Sequence, residues 1–550
     1  MTETIAVEPP KNSVSDATRA TVAEAMAVEL RALGVDRVFG VPGGEVLFLI
    51  DALRREGIDY AVCRHEADAG VTAAVYGKLK GVPGVVLTTL GPGAANLMFA
   101  LSNSWLDREP LLAISAATPE AWSFDRTHQK LPLLEAYGPV TKLSGAITPF
   151  NCRSLLRRAA AASLAEPLGP SFLTLSADHA VLTAEEANFD AADQQGVALP
   201  QSAAPEAAER LHRLLVSAER PVVLLGLGVR PENADALRAW LDAWGLPVGV
   251  TPKVKGIVDE TVPNFIGTVG GMAIDAAVRD ALSHSDLIVG FGLDPTEIDG
   301  AWHTELPIVW ALESAWATGA VPTRSLLAAD HAELLRKLAA DPPRTWPNAF
   351  ESLRRTRLET FEQNGVDREQ LTPVAVVRTL AKLFPPETIV ATDVGSHKYV
   401  FGQFWPSRRP ETFFMSNGLS GMGYGLPAAI GAKLARPEAP VLAVLGDGGF
   451  SMNSQELESA KRLGASFVTV VLADATYSLI RIGQENRGLP RYGVDFDPID
   501  SVKTAQACGI EAVRASTVSE LKSAVTAALS AGTALLVEVP IDADDYRGIV

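Results

Sequence analysis

The chain has 550 residues, too many for one domain, so about two to four are expected. Its residues are 47% hydrophobic and 21% charged, the composition of a compact globular protein with large buried cores. A formal net charge of −17 argues against a nucleic-acid or anionic-membrane partner, and leaves any bound phosphate to backbone dipoles and a metal.

Residues 1–17 read as a tail. They hold Glu3, Glu8, Pro9, Pro10 and Lys11 without an apolar core segment, so no secretory signal is expected. Cys63, Cys152 and Cys508 lie far apart with no metal spacing, which fits a reducing cytoplasm. No apolar stretch approaches the roughly 20 residues that a membrane helix needs. The expectation is a cytoplasmic protein without membrane or nucleic-acid contacts.

Three α/β segments follow, each alternating short Val/Ile/Leu-rich runs with Ala-rich amphipathic stretches. The fold class expected is α/β, with three doubly wound domains and mainly parallel sheets. The first domain is placed at 18–184, a linker at 185–207, the middle domain at 208–340 and a second linker at 341–370. The last domain is placed at 371–545, ahead of a short tail at 546–550.

In the first domain, Tyr60–Cys63 and Val85–Thr89 read as buried strands. The tight turn Pro42-Gly43-Gly44 and the segment Gly91-Pro92-Gly93, with Asn96 beyond it, fall at predicted strand ends. Glu66 follows a short strand and leads an Ala-rich helix, Ala67 to Lys80, whose dipole stabilises a carboxylate there. Taken alone, such a glutamate is no more than a helix-end charge.

In the middle domain, Pro221–Leu225 and Leu287–Phe291 read as strands. Gly226-Leu227-Gly228 begins like a dinucleotide fingerprint, but Pro231 stands where the third glycine should be. It reads as an ordinary turn.

In the last domain, Ile389–Ala391, Val441–Leu445 and Phe467–Leu472 read as strands, with a final one at Ala534–Val539. Gly446-Asp447-Gly448-Gly449 reads as a turn before a helix that starts around Ser454 to Leu457. Asp447 and Asp474 then sit at the carboxyl ends of neighbouring parallel strands, the edge where open α/β sheets bind ligands. Two carboxylates beside glycine-exposed amides suit a hard cation bridging to a diphosphate. Val85 to Gly93 and Val441 to Gly448 share a strand–Gly-x-Gly–helix pattern, which suggests that the first and last domains are structural siblings.

Gly40-Val41-Pro42-Gly43-Gly44, Arg64-His65-Glu66, Gly91-Pro92-Gly93 with Asn96, Asp393-Val394-Gly395-Ser396-His397 and Gly446-Asp447-Gly448-Gly449 occur in that order. With them the chain resembles the thiamine-diphosphate-dependent decarboxylases and carboligases of the acetolactate synthase and pyruvate oxidase group. The resemblance spans nearly all of residues 18–545 and implies pyrimidine-binding, middle and diphosphate-binding domains. It also implies the cofactors thiamine diphosphate and Mg²⁺.

The resemblance assigns roles by position. Glu66 matches the glutamate that hydrogen-bonds N1′ of the cofactor's aminopyrimidine, so that the cofactor's own 4′-nitrogen can act as a base. Met422, in Leu419-Ser420-Gly421-Met422-Gly423, matches the bulky residue that wedges the cofactor into its bent shape. On its own it would read as core filling. Thr127-His128-Gln129 is similar to a segment of the catabolic branch in which the glutamine lines the active site. His128 reads equally as a substrate-facing proton donor or a loop histidine. Pro42, Gly43, Gly91, Asn96, Gly395, Ser396, His397, Ser420, Gly421, Gly446, Gly448, Gly449 and Tyr477 fall on cofactor-contacting stretches.

Asp447, Asp474 and the Thr476 carbonyl match the metal ligands. Most members end this motif in a pair of asparagines, whereas this chain has Ala473-Asp474-Ala475-Thr476. A carboxylate oxygen suits a hard cation at least as well. The aspartate form resembles the catabolic, FAD-independent branch, and Leu293-Asp294-Pro295-Thr296-Glu297 leans the same way, so FAD is not expected. The activity implied is decarboxylation of a 2-oxoacid and transfer of the acyl carbanion to a second carbonyl, with pyruvate to 2-acetolactate the best single choice. Such a site is divided between subunits, so a homodimer is the minimal unit and a homotetramer is expected.

Two further readings stay open. Ser420 stands where the catabolic branch usually has glutamine, and Arg126 and Arg481 are candidate partners for a substrate carboxylate. A decarboxylase, a lyase or a specialised-metabolism C–C or C–N ligase with a different acceptor is the alternative. A non-catalytic family member, motivated by Ala473-Asp474 alone, is the remote one.

Overall fold

A computed structural model describes residues 20–119, 127–185, 204–270, 273–297, 307–313, 326–338, 371–497 and 499–550. The tail at 1–17, the linker at 341–370, Arg126 and residues 186–203 of the other linker lie outside the described residues.

Three six-stranded sheets organise the chain, and every strand pairing within them is parallel. The first contains β1 (Arg37–Val41), β2 (Asp59–Val62), β3 (Gly84–Thr88), β4 (Leu111–Ala117), β5 (Leu143–Ile147) and β6 (Pro170–Ser176), in the order β2-β1-β3-β4-β6-β5. The middle contains β7 (Pro221–Leu225), β8 (Val248–Val250), β9 (Phe265–Thr268), β10 (Leu287–Phe291), β11 (Ile308–Leu312) and β12 (Leu326–Ala328), in the order β12-β11-β10-β7-β8-β9. The last contains β13 (Ile389–Thr392), β14 (Phe413–Met415), β15 (Val441–Gly446), β16 (Val468–Ala473), β17 (Glu511–Arg514) and β18 (Leu535–Pro540), in the order β14-β13-β15-β16-β18-β17. Strands such as β3, β7 and β10 are buried along their whole length. They are continuous apolar runs because helices cover both faces of each sheet.

The first and last sheets share one strand order, so β3 and β15 are equivalent and their glycine turns occupy the same place. The middle sheet instead has the dinucleotide-fold order. The outer two domains also share a core. The helix Glu66–Lys80 packs on the helix Gly425–Ala435, and residues of both belong to one apolar cluster. Small residues permit the approach: a Cβ on Gly431 would lie 2.4 Å from the Thr72 carbonyl oxygen, and Thr72 Oγ1 donates to the Pro427 carbonyl at 3.1 Å. The middle domain has its own core around Trp240 and Trp244.

One local reading changes. Gly446–Gly449 is not a turn ahead of a distant helix, because β15 ends at Gly446 and a helix runs directly from Asp447 to Asn453. The helix expected from Ser454 is a separate one, Glu456–Arg462. Asp447 stabilises the early start: its Oδ1 accepts the Gly448 amide at 2.9 Å, a carboxylate at a helix N-terminus. Among the described residues no helix is long and apolar enough to cross a membrane.

Candidate active site

The chain carries two separate clusters at sheet edges, one in each outer domain. In the first, Glu66 opens the helix that follows β2, and His65 caps that helix by accepting the Ala67 amide at 3.1 Å. Asn96 Nδ2 donates to Glu66 Oε2 at 2.9 Å and fixes the carboxylate. The other oxygen, Oε1, lies over Gly93, where a Cβ would sit 3.3 Å away. Gly91 has φ +60 and backs onto Gln129, so a side chain there would be both strained and blocked. Gly43 lies against Thr89, whose hydroxyl donates to Glu45. The structure therefore gathers Gly43, Glu66, Gly91, Asn96 and Gln129 at the ends of β1, β2 and β3. Pro42 and His128 lie exposed beside them.

The second cluster forms at the ends of β13, β15 and β16. Asp447 Oδ2 accepts the amides of Asp474 at 3.2 Å and Ala475 at 2.8 Å, which draws the two acids together. Burial, and then the charge of Asp447, push the Asp474 carboxyl up to about 6. Burial also raises Asp447, against the pull of its three amides. The Thr476 carbonyl accepts the Ser478 amide at 2.9 Å and keeps one lone pair free. Ser396 Oγ meets Ser478 Oγ at 2.9 Å, which ties the β13 loop to the β16 loop.

His397 is buried and packs against Gly395 and Gly446. Burial lowers it to about 4, so it is neutral at pH 7, and its Nε2 has no hydrogen-bond partner among the described residues. Met422 Cε would lie 3.3 Å, and Tyr477 2.8 Å, from a Cβ on Gly448. Gly448 is thus the gap that both side chains occupy. Gly449 is held against Asp393, and Gly421 against Phe99 of the first domain.

Two acids that repel each other, a free carbonyl lone pair and an orphaned imidazole nitrogen form an incomplete site. No group of three or more His, Cys, Asp or Glu side chains among the described residues could hold a metal unaided. The donor set fits a hard cation that takes its remaining oxygens from a phosphorylated ligand.

Residues 20–132 match the thiamine pyrophosphate enzyme N-terminal TPP binding domain, residues 208–335 the central domain and residues 393–539 the C-terminal TPP binding domain. The chain belongs to the thiamine pyrophosphate enzyme family. It is similar to "Acetolactate synthase" of Bacillus subtilis (strain 168), at 30% identity over 93% of this chain and 91% of that protein. It is equally similar to "Acetolactate synthase, catabolic" of Raoultella terrigena, at 30% identity over 95% of each chain. "Acetolactate synthase isozyme 2 large subunit" of Escherichia coli (strain K12) follows at 28% identity, over 93% of this chain and 94% of that protein.

As a thiamine-diphosphate enzyme, the chain also has residues near the second cluster that its motifs do not single out. Lys398 is buried directly after His397 and donates to the Ser416 carbonyl and Ser420 Oγ. Asp107 reaches from the first domain to the amides of Asn417 and Gly418. No local sequence signal marks either residue. Arg481 is engaged elsewhere: it is buried and paired with Asp544 of the C-terminal segment.

Proposed function

We propose that this chain converts pyruvate to 2-acetolactate. The likeness to the Bacillus subtilis synthase across more than nine-tenths of both chains carries this reading. When bound, thiamine diphosphate supplies a nucleophilic C2 carbon that adds to the oxoacid carbonyl and takes up the electrons released with CO₂. In this reading Glu66, oriented by Asn96, hydrogen-bonds the aminopyrimidine and holds the proton that sets the ring's tautomer. Met422 fills the space over Gly448 and sets the cofactor's bend. Asp447, Asp474 and the Thr476 carbonyl would hold Mg²⁺. Ser396, His397 and Gly446 would face the diphosphate. Gln129 and His128 line the substrate end.

The glycine turn of the middle domain supports a reading without FAD. Glu297 is fully buried and accepts the Leu227 amide at 2.7 Å, which takes the N–H that a phosphate would use in the Gly226-Leu227-Gly228 turn. Gly228 N is taken by the Gly292 carbonyl at 2.7 Å.

The active unit in this reading is a dimer in which the first-domain cluster of one copy faces the last-domain cluster of the other. Exposed apolar side chains rim both clusters: Phe48 and Leu131 on one, Ile480, Leu489 and Tyr492 on the other. Two such dimers would form the tetramer that the family resemblance implies. The free cysteines fit a cytoplasmic setting.

A second reading keeps the cofactor and changes the acceptor. It is favoured by Ser420, a short side chain at φ +52 in the place of a glutamine. Incubating the protein with thiamine diphosphate, Mg²⁺ and a panel of 2-oxoacids and aldehydes decides between them, read by CO₂ release and product mass. Acetolactate from pyruvate alone is the expected result. CO₂ without a coupled product, or a product formed only with another acceptor, contradicts it.

A further inference from the structure

The segment that carries Met422 is held by groups far from it in sequence. Lys253 of the middle domain donates to the Met415 carbonyl at 2.9 Å. Ser416 Oγ donates to Asn103 Oδ1 at 2.7 Å and accepts the Gly421 amide at 3.0 Å. Asp107 accepts the Asn417 amide at 3.1 Å and the Gly418 amide at 2.7 Å. From the opposite side, Lys398 Nζ donates to the Ser416 carbonyl at 2.9 Å and to Ser420 Oγ at 3.2 Å. Beyond Met422, Asp393 accepts the amides of Gly423 and Tyr424.

Two features show that this loop is forced rather than relaxed. Ser420 has φ +52, a conformation that costs a non-glycine residue and persists only when its surroundings impose it. Gly418 and Gly421 are pressed onto the helix Met98–Asp107, where a Cβ would lie 2.6 Å from Leu106 Cβ and 2.2 Å from Phe99 Cε2. That helix follows the Gly91–Asn96 segment whose Asn96 fixes Glu66.

From this geometry we propose that Asp107 and Lys398 are positioning residues, an anion and a cation that clamp the Ser416–Gly421 loop and so fix where Met422 stands. The anion binds backbone N–H groups and the cation binds a carbonyl and a hydroxyl, so each uses the donors or acceptors that the other cannot. Both are almost fully buried, which makes each contact hard for water to replace. The clamp acts on catalysis through Met422, and to that extent rests on the role proposed above for that residue.

The test uses Asp107→Asn, and Lys398→Met with Lys398→Arg as the conservative partner. Asp107 also faces Lys253 at 3.5 Å, so the lysine variants keep the test decisive if Asp107→Asn folds poorly. Hydrogen exchange of the full chain, without cofactor, is read by mass spectrometry on peptides covering 416–424. Loop amides are expected to exchange about tenfold faster in Asp107→Asn and Lys398→Met, with partial recovery in Lys398→Arg. In the cofactor-loaded protein, kcat and the deuterium exchange rate at the cofactor's C2 should fall together by about ten- to a hundredfold. KM should stay within about threefold. Unchanged loop exchange overturns the clamp, and so does faster exchange with undiminished kcat. Met422→Ala is measured alongside: full activity there overturns the role of Met422, and the amide exchange then decides the clamp independently.

Discussion

The last domain and the middle domain both present a glycine-rich segment at the carboxyl edge of a parallel sheet, with an acid beside it, yet the two are built for opposite ends. In the middle domain Glu297 is sealed in. Its carboxyl accepts the Leu227 amide and the Thr251 hydroxyl at 2.5 Å, a Cβ on Gly226 would lie 2.8 Å from its Oε2, and burial pushes it up to about 8. In the last domain Asp447 takes three amides but shares its space with Asp474 and with His397, whose Nε2 has no partner among the described residues. A glycine turn at a strand end is therefore not a phosphate site in itself. What separates the two is the neighbouring acid: Asp474 is drawn against Asp447, whereas Asp294 beside Glu297 is already paired with Arg108.

The most severe test lies in the first domain, whose Glu66 belongs to the same site in the proposed function. Glu66→Gln keeps the hydrogen bond from Asn96 within reach but removes the shared proton, and should lower kcat about 10²- to 10⁴-fold with the fold intact. Steady-state rates with circular dichroism check it. Wild-type turnover would remove Glu66 from the mechanism.

Gly448→Ala tests the space around the acid pair. Its Cβ would meet Tyr477 at 2.8 Å and Met422 at 3.3 Å. An overpacking cost of about 1–3 kcal/mol should appear as weaker cofactor affinity, measured by fluorescence titration. A smaller effect is expected from Asp474→Asn. In the proposed function an amide oxygen would still face the cation, so the Mg²⁺ concentration for half-maximal activity should rise by no more than about tenfold.

The smallest effect belongs to the sealed side and appears only in stability. Because the folded carboxyl of Glu297 titrates near 8, the folded chain holds a proton that the unfolded chain has already lost. Stability contributed there therefore declines as pH rises from the unfolded value through about 8, by up to about 1.4 kcal/mol per pH unit. Glu297→Gln should flatten the fall in Tm between pH 5 and 8 while leaving turnover unchanged. Parallel curves for variant and wild type would show that Glu297 is not buried as described.

How much of this was readable beforehand follows from range in sequence. Strands announced themselves because each is a short apolar run: Pro221–Leu225 and Leu287–Phe291 were placed to the residue, and others shifted by one. The pairing of Val85–Gly93 with Val441–Gly448 corresponds to equivalent strands of two sheets with one order. The early start of the helix at Asp447 was missed because glycines argue for a turn on propensity alone, whereas an aspartate at the N-terminus turned the balance. Asp107, Lys398 and Glu297 were illegible for a different reason. Their partners lie tens to hundreds of positions away, and nothing local distinguishes a buried, committed charge from a solvated one.

The proposed function requires Glu66 and the Asp447–Asp474 pair to be halves of one catalytic site, contributed by different copies of the chain. Mixing two defective copies tests this. Glu66→Gln and Asp447→Asn proteins, each nearly inactive, are combined under conditions that let subunits exchange, with thiamine diphosphate, Mg²⁺ and pyruvate present. Random reassortment regenerates one intact site in half of the dimers, so acetolactate formation should recover to about one quarter of the wild-type rate. Activity that stays at the sum of the two separate variants, with exchange verified by mass, would contradict it.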